Sequence, residues 1–199
     1  MLYQSASVRV TLDDQVATLW LDAVDSRANR LDLALLNEIE LALRVIQNAP
    51  CIELLVLRSG KTSGFSPGLA LEALQGTESA ADREALSCRG QQVAQMLENL
   101  GPGRLSVAVI EVECGGAGLE PALACDYRVA LASPRTVFQF PESRMGLLPC
   151  WGGVARLVRL IGLRNTLDML LDAGEVSVGD AARLGLVDHA WDERPLQIE

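Results

Sequence analysis

Two glutamates, Glu120 and Glu142, frame the stretch of this 199-residue chain whose residue types could move protons. Ahead of Glu120, the apolar run at 107–110 reads as a buried strand, and Gly115, Gly116 and Gly118 then let the backbone turn tightly. Pro121 is tolerable only in the first turn of a helix, so a helix should begin near Gly118 with Glu120 at its start. A strand, a glycine turn and a helix N-terminus together present backbone N–H groups to an anion, or to a carbonyl oxygen gaining negative charge. Two carboxylates beside such donors have the makings of a positioned acid and base. Each also has an ordinary alternative. Glu120 could simply cap its helix, and Glu142, in the loop-like segment after Pro141, could be solvated beside Arg144.

The surrounding sequence must supply the elements that position these groups. Residues 8–12 and 16–21 alternate or run apolar around Asp13-Asp14, which predicts a hairpin. From Asp32, a plausible N-cap, Leu36, Ile39, Leu43 and Ile46 recur at helical spacing until Pro50. A buried strand is expected at 52–57, then a glycine-containing loop, GFSPGLAL at 64–71, ending in a helix-like run. In that loop Gly68 can bring the backbone close to a ligand, unless the segment is an ordinary strand-to-helix turn. Residues 75–89 are polar without a firm apolar period, which predicts a mobile surface segment before a helix at 91–100. Strands are expected at 127–131 and 137–140. Further helices are expected around Leu167, Leu170 and Leu171 and around Val178, Ala181 and Ala182, with His189 in a surface or packing role. The three tryptophans and the methionines read as core.

Composition bounds the function. The chain is long enough for one domain spanning 1–199, and 49% hydrophobic residues agree with a sizeable core. No apolar run reaches membrane-spanning length, and the N-terminus lacks a signal-peptide pattern, so a cytoplasmic protein without membrane association is expected. Five cysteines without a CxxC pair argue against a disulfide framework or a metal site. The net charge of −9, with no basic run, argues against nucleic acid as a partner. With one histidine and no GxSxG, a serine hydrolase has little support.

Four blocks, in order, resemble the enoyl-CoA hydratase/isomerase (crotonase) family. They are ANRLD at 28–32, GFSPGLAL at 64–71, GGAGLEPALACDYRVA at 115–130 and PESRMGLLPCWGGVARLVRLIG at 141–162. The first block, and the DYRVALASPRTVFQFPE spacing, are most similar to the hydratase part of multifunctional fatty-acid oxidation proteins. The resemblance implies an α/β fold of the ClpP/crotonase type, a spiral of repeated ββα units in two roughly perpendicular sheets, with C-terminal helices. It implies action on acyl-CoA thioesters, with Glu120 and Glu142 as the acid–base pair and the N–H groups of Leu69 and Ala117 as an oxyanion hole. Arg27, Ala28, Arg30 and Gly68 would line the coenzyme A, although the two arginines could equally be solvated loop charges. No cofactor or metal is implied beyond the coenzyme A of the substrate. Family members form trimers or hexamers or belong to larger multifunctional proteins, and most continue into a C-terminal helical extension that this single domain is expected to lack.

The chain departs from the family pattern in places. Ala70 stands where aspartate is usual, and Ala117 where glycine is usual, which keeps the donor N–H if its φ is not left-handed. Glu111-Val112-Glu113 stands where a glycine flanked by small or polar residues is usual, and Cys150 and Trp151 replace small or aromatic positions; the bulk of Val112 and Trp151 is expected to narrow the acyl site, and the two extra carboxylates to repel an anionic ligand. A binding or assembly subunit with the same scaffold and weak or no turnover is therefore the alternative to an enzyme.

Overall fold

The hairpin forms as its alternation requires. In the computed structural model, which describes residues 1–70 and 79–192, β2 (Val8–Asp13) and β3 (Val16–Leu21) pair antiparallel with Val10 opposite Leu19. Asp14 makes the turn at φ 51°, a left-handed conformation that a short polar side chain tolerates. A two-residue strand, β1 (Tyr3–Gln4), extends the edge. From β3 the sheet grows in one direction only. β5 (Leu54–Ser59), β8 (Leu105–Ile110), β10 (Tyr127–Leu131) and β13 (His189–Trp191) are each added in parallel to the strand before. The order never reverses, so this sheet, although mostly parallel, is not doubly wound.

After each central strand the chain drops into a second, four-stranded sheet before returning. There β6 (Gly64–Ser66), β9 (Glu113–Gly115) and β11 (Val137–Gln139) lie in parallel, with β12 (Val176–Ser177) antiparallel at the edge. β4 (Arg30–Leu31) and β7 (Gly68–Leu69) form a separate parallel pair. The repeat β5–β6, β8–β9, β10–β11, each followed by helix or turn, is the expected spiral of ββα units.

Helices close one face of the large sheet. α1 (Leu33–Gln47) starts where predicted, the Asp32 carboxylate accepting from Leu35 N–H at 2.7 Å, and buries Leu36, Ile39, Leu43 and Ile46. On that face the sheet presents a row in register, Leu19, Leu57, Ala108 and Arg128. Arg128 is tolerated there because its guanidinium donates to the carbonyls of Leu186 and Cys125 and pairs with Asp188 at 2.6 Å. One buried apolar cluster runs from Val8 to Val187. None of the described helices is long and apolar enough to cross a membrane.

Three expectations are corrected. First, the segment read as mobile is, from residue 80 on, the N-terminal half of α2 (Ala80–Glu98). A reciprocal capping box between Ser79 and Asp82 starts it, Leu86 is buried, and Arg89 ion-pairs with Glu40 of α1. The helix-like run after Ala70 and the start of the polar segment, residues 71–78, lie outside the described residues. Second, Trp20 is not core: it lies on the outer sheet face, in register between Arg9 and Arg58, whose guanidinium carbons sit 4.7 and 5.0 Å from the ring centroid. Trp20, Trp191 and Met96 are half-buried, and Met1 and Met145 are exposed. Third, Leu167 and Leu171, read as a helix lining, face solvent. They belong to α4 (Gly153–Asp172), which is broken at Gly162 (φ 78°, ψ 162°). α5 (Val178–Leu184) then leads to β13.

Candidate active site

Glu120 sits in α3 (Leu119–Ala124), a six-residue helix entered through a 3-10 turn at Gly116–Gly118, with every residue of both buried. Its side chain does not cap its own helix. The carboxylate reaches the N-terminus of α4: Oε1 accepts from Cys150 N–H at 3.2 Å, and Oε2 from Trp151 N–H at 2.8 Å and Gly153 N–H at 2.7 Å. Gly152, at φ 93°, makes the left-handed turn that lets these donors converge. Gly153 leaves the necessary space, since a Cβ there would lie 2.8 Å from Glu120 Cγ. Burial pushes the Glu120 carboxyl up to about 7; the N–H groups of Gly153 and Trp151 offset part of that rise, and the charge of Glu142 adds to it.

Glu142 is presented by a second 3-10 turn, Pro141–Met145, closed by Gly146 at φ 69°. It too is buried, whereas Arg144 points to solvent. Oε1 packs against the 3-10 turn before α3, where a Cβ on Gly116 would come within 2.6 Å of it. Oε2 is buried with no hydrogen-bond partner among the described residues. Burial raises this carboxyl as well, with its own N–H and that of Ala117 opposing the rise. Ala117 is not among the residues with positive φ, so alanine meets no left-handed strain at this position. The Cys150 thiol, raised by burial, lies close enough to feel both carboxylates.

The 64–69 segment packs against the same glycine turn. Gly68 (φ 111°) comes so near that a Cβ would be 3.1 Å from Gly115 O and 3.4 Å from Ala117 N. Ala70 N–H donates to Leu31 O at 3.0 Å. Successive N–H groups of an extended strand point to opposite edges, so the Leu69 N–H is directed away from β4. Arg30 lies directly beside Gly68 in the β4–β7 pair. Arg27 and Arg30 are exposed and form no ion pair with any described residue, while the single lysine, Lys61, is held by Asp22 at 2.8 Å.

Asn29 organises these loops, a role the sequence did not disclose. Fully buried, its Oδ1 accepts from Ala23 N–H, its Nδ2 donates to Ser59 Oγ and Phe65 O, and its carbonyl accepts from Ser66 Oγ at 2.6 Å. The one available signal was a polar side chain between Ala28 and Leu31, inside a block otherwise read for its arginines. The expected crowding by acidic and bulky residues takes a different form. Glu111 pairs with Arg58 at 3.0 Å and Glu113 accepts from Gln139 at 3.0 Å, so both carboxylates have local partners. Trp151 is buried against α2, filling the notch left by Gly90. Between α2 and the start of α4 lies an open cleft of about 560 Å³, whose walls include Gln91, Gln95, Cys150, Trp151 and Val154.

Comparison with known proteins agrees with this architecture. The fatty acid oxidation complex subunit alpha of Aliivibrio fischeri is 37% identical over 177 residues, and that of Shewanella amazonensis 40% over 176, each match covering 88% of this chain. The chain spans about a quarter of the length of these relatives. The crystal structure of enoyl-CoA hydratase from Bacillus halodurans superposes with a TM-score of 0.88 at 26% identity, covering 94% of this chain and 74% of that one. The family model described as enoyl-CoA hydratase/isomerase matches residues 14–198, so that nearly the whole spiral, with both buried glutamates, lies within the match, and the chain belongs to the enoyl-CoA hydratase/isomerase family.

Proposed function

We propose that this site hydrates or isomerises enoyl-CoA thioesters, with Glu120 and Glu142 as acid and base. The observation that carries the proposal is a pair of buried carboxylates, one feeling the charge of the other, on either side of a turn that carries backbone donors. The thioester oxygen would lie at the N–H groups of Leu69 and Ala117, where negative charge develops as the double bond is attacked. It would compete with Glu142 for the Ala117 N–H, and a protonated Glu142 yields that donor more readily. Water would sit between Glu120 Oε1, which accepts a single N–H, and the unpartnered Glu142 Oε2. Its oxygen adds to the β-carbon while one carboxylate takes its proton and the other delivers a proton to the α-carbon. Burial raises both carboxyls, which favours the singly protonated pair that this exchange needs near neutral pH. Isomerisation needs only a proton moved along the substrate, a task for Glu142.

Arg27 and Arg30 would meet the phosphates of coenzyme A, with Ala28 and Gly68 lining its path, and no further cofactor takes part. A place within a larger multifunctional fatty-acid oxidation protein is supported by the relatives, in which the matched part is one quarter of the chain. The exposed stripe Leu163, Leu167 and Leu171 on α4 supports association of copies, as a trimer or hexamer. Light scattering that finds a monomer at high concentration would remove that part.

The test of the chemistry is turnover of a trans-2-enoyl-CoA. Glu142→Gln should lower hydration and isomerisation by about 10²-fold or more, and Glu120→Gln mainly hydration. Both variants should stay folded. Unchanged rates in both would leave only the binding or assembly subunit.

A further inference from the structure

Arg156 lies in the first turn and a half of α4, and its guanidinium folds back toward the helix N-terminus. That is the unfavourable end for a cation, because the helix dipole already concentrates positive charge there. Yet the side chain is buried, 7% exposed, and every branch of its fork is in use. Nε and Nη2 donate to the two carboxylate oxygens of Glu98 on α2, at 2.9 and 2.8 Å, and Nη1 donates to Trp151 O at 2.7 Å. Gly152 makes room for it, since a Cβ there would lie 2.6 Å from Nη1. The residue whose carbonyl Arg156 holds is the one whose N–H binds Glu120 Oε2 at 2.8 Å. A second tie acts on the same strand of backbone, Gln91 Nε2 donating to Cys150 O at 2.8 Å.

We propose that the Glu98–Arg156 pair is a positioning device for Glu120: anchored on α2, it fixes the 150–153 backbone so that three N–H groups converge on one carboxylate. Arg156 does not touch the reacting atoms. It acts through the Trp151 carbonyl, and Glu98 is what makes a cation tolerable at that end of α4. The same ion pair also joins α2 to α4, so a merely structural role is the alternative to be separated by experiment. This inference rests on the proposed acid–base role of Glu120 only where turnover is the readout.

The titratable groups around Glu120 are Glu142 from the Pro141–Met145 turn and the Cys150 thiol from the lead-in to α4. α2 faces that lead-in with the neutral Ser87 and Gln91 and with Glu98, which Arg156 holds below the ordinary carboxylate range. The experiment is a carbon-13 NMR titration of the Glu120 carboxyl in the full chain, assigned with Glu120→Gln, together with hydration kinetics on a trans-2-enoyl-CoA. In Arg156→Met the N–H groups lose their fixed aim and burial acts with less opposition. The Glu120 titration should therefore move up by about one unit, and Arg156→Lys should return part of the shift. Turnover should fall about tenfold in kcat with KM little changed, and Arg156→Met should add nothing in a Glu120→Gln background. If Arg156→Met does not fold, Glu98→Gln keeps the shape, weakens the anchor, and should give the same upward movement on a smaller scale. A folded Arg156→Met, or failing that Glu98→Gln, with an unmoved Glu120 titration overturns the proposal. Absence of turnover in the unmodified protein would refute the enzymatic role and leave the titration to decide the positioning role by itself.

Discussion

Gly153→Ala is the smallest change that should separate the two glutamates. Gly153 is not left-handed, so alanine meets no backbone strain there, and as a helix former it is better than glycine by up to about 1 kcal/mol. Sterics act the other way. The new Cβ would stand 2.8 Å from Glu120 Cγ and Oε2, whereas ordinary contact begins near 3.4 Å, and Glu120 is only 1% exposed and has nowhere to swing. The carboxylate must retreat by about half an ångström, stretching its 2.7 Å bond to the Gly153 N–H. Overpacking of this size costs about 1–3 kcal/mol, so the net loss of stability should be about 1 kcal/mol and the fall in Tm about 2–4 °C. Misplacement of a catalytic group by 1 Å can cost about 10²-fold, so half of that should lower hydration by about tenfold. Isomerisation, which uses Glu142, should change much less. The assay follows loss of the enoyl absorbance for hydration and migration of the double bond for isomerisation. Hydration at the unmodified rate, or equal loss of both reactions, would refute the assignment of Glu120 to the water-activating half of the pair.

Protonation should be visible in stability as well as in rate. The Glu120 carboxyl is raised from 4.5 to about 7 in the folded protein, so the folded state holds a proton that the unfolded chain releases. Its contribution is full below about pH 4.5 and is lost as pH rises to 7, amounting to about 3 kcal/mol in order of magnitude. Urea unfolding at pH 5 and pH 7.5 should show the stability of Glu120→Gln gaining on the unmodified protein over that interval, and a constant difference would contradict the raised value. Asn29→Ala removes three side-chain hydrogen bonds from a fully buried site and should destabilise by about 3 kcal/mol, read from denaturant midpoints, with the Gly68 segment loosened. Replacing both Arg27 and Arg30 by alanine should raise KM for an acyl-CoA about tenfold at low salt and less at high salt. A KM independent of ionic strength would place the phosphates elsewhere.

What the sequence disclosed follows from the range over which each determinant acts. α1 was legible from end to end because its cap, its apolar period and its stop are all local. Glu120 was legible as a position, from the glycine turn and Pro121, but its partners are backbone groups thirty residues downstream, and nothing local indicates that it serves α4 rather than its own helix. The first half of α2 was missed because Asp82, Arg83 and Glu84 obscure any apolar period; the helix is held by the Ser79–Asp82 box and by Arg89 reaching across to Glu40. Trp20 misled for a related reason. A tryptophan in an apolar strand reads as core, and only cross-strand register shows two arginines enclosing it on the outer face. Asn29 was hidden because its ties run to residues 23, 59 and 65, which share no spacing with it.

The break in α4 at Gly162 bears on how this chain tolerates change. Upstream of the break the first residue of the helix and the two residues of its lead-in, Cys150 and Trp151, carry the donors that hold Glu120; downstream the helix carries the solvent-facing leucines. Thr166 Oγ donates to Gly162 O at 2.8 Å and Asn165 Nδ2 to Ile161 O at 2.7 Å, so carbonyls freed at the joint are satisfied locally. A continuous helix would act as a rigid shaft, turning its first residue whenever its last is pushed. An articulated one absorbs that load at residue 162. The outer half of α4 can therefore diversify to suit whatever comes to rest on it, while the inner half keeps its aim.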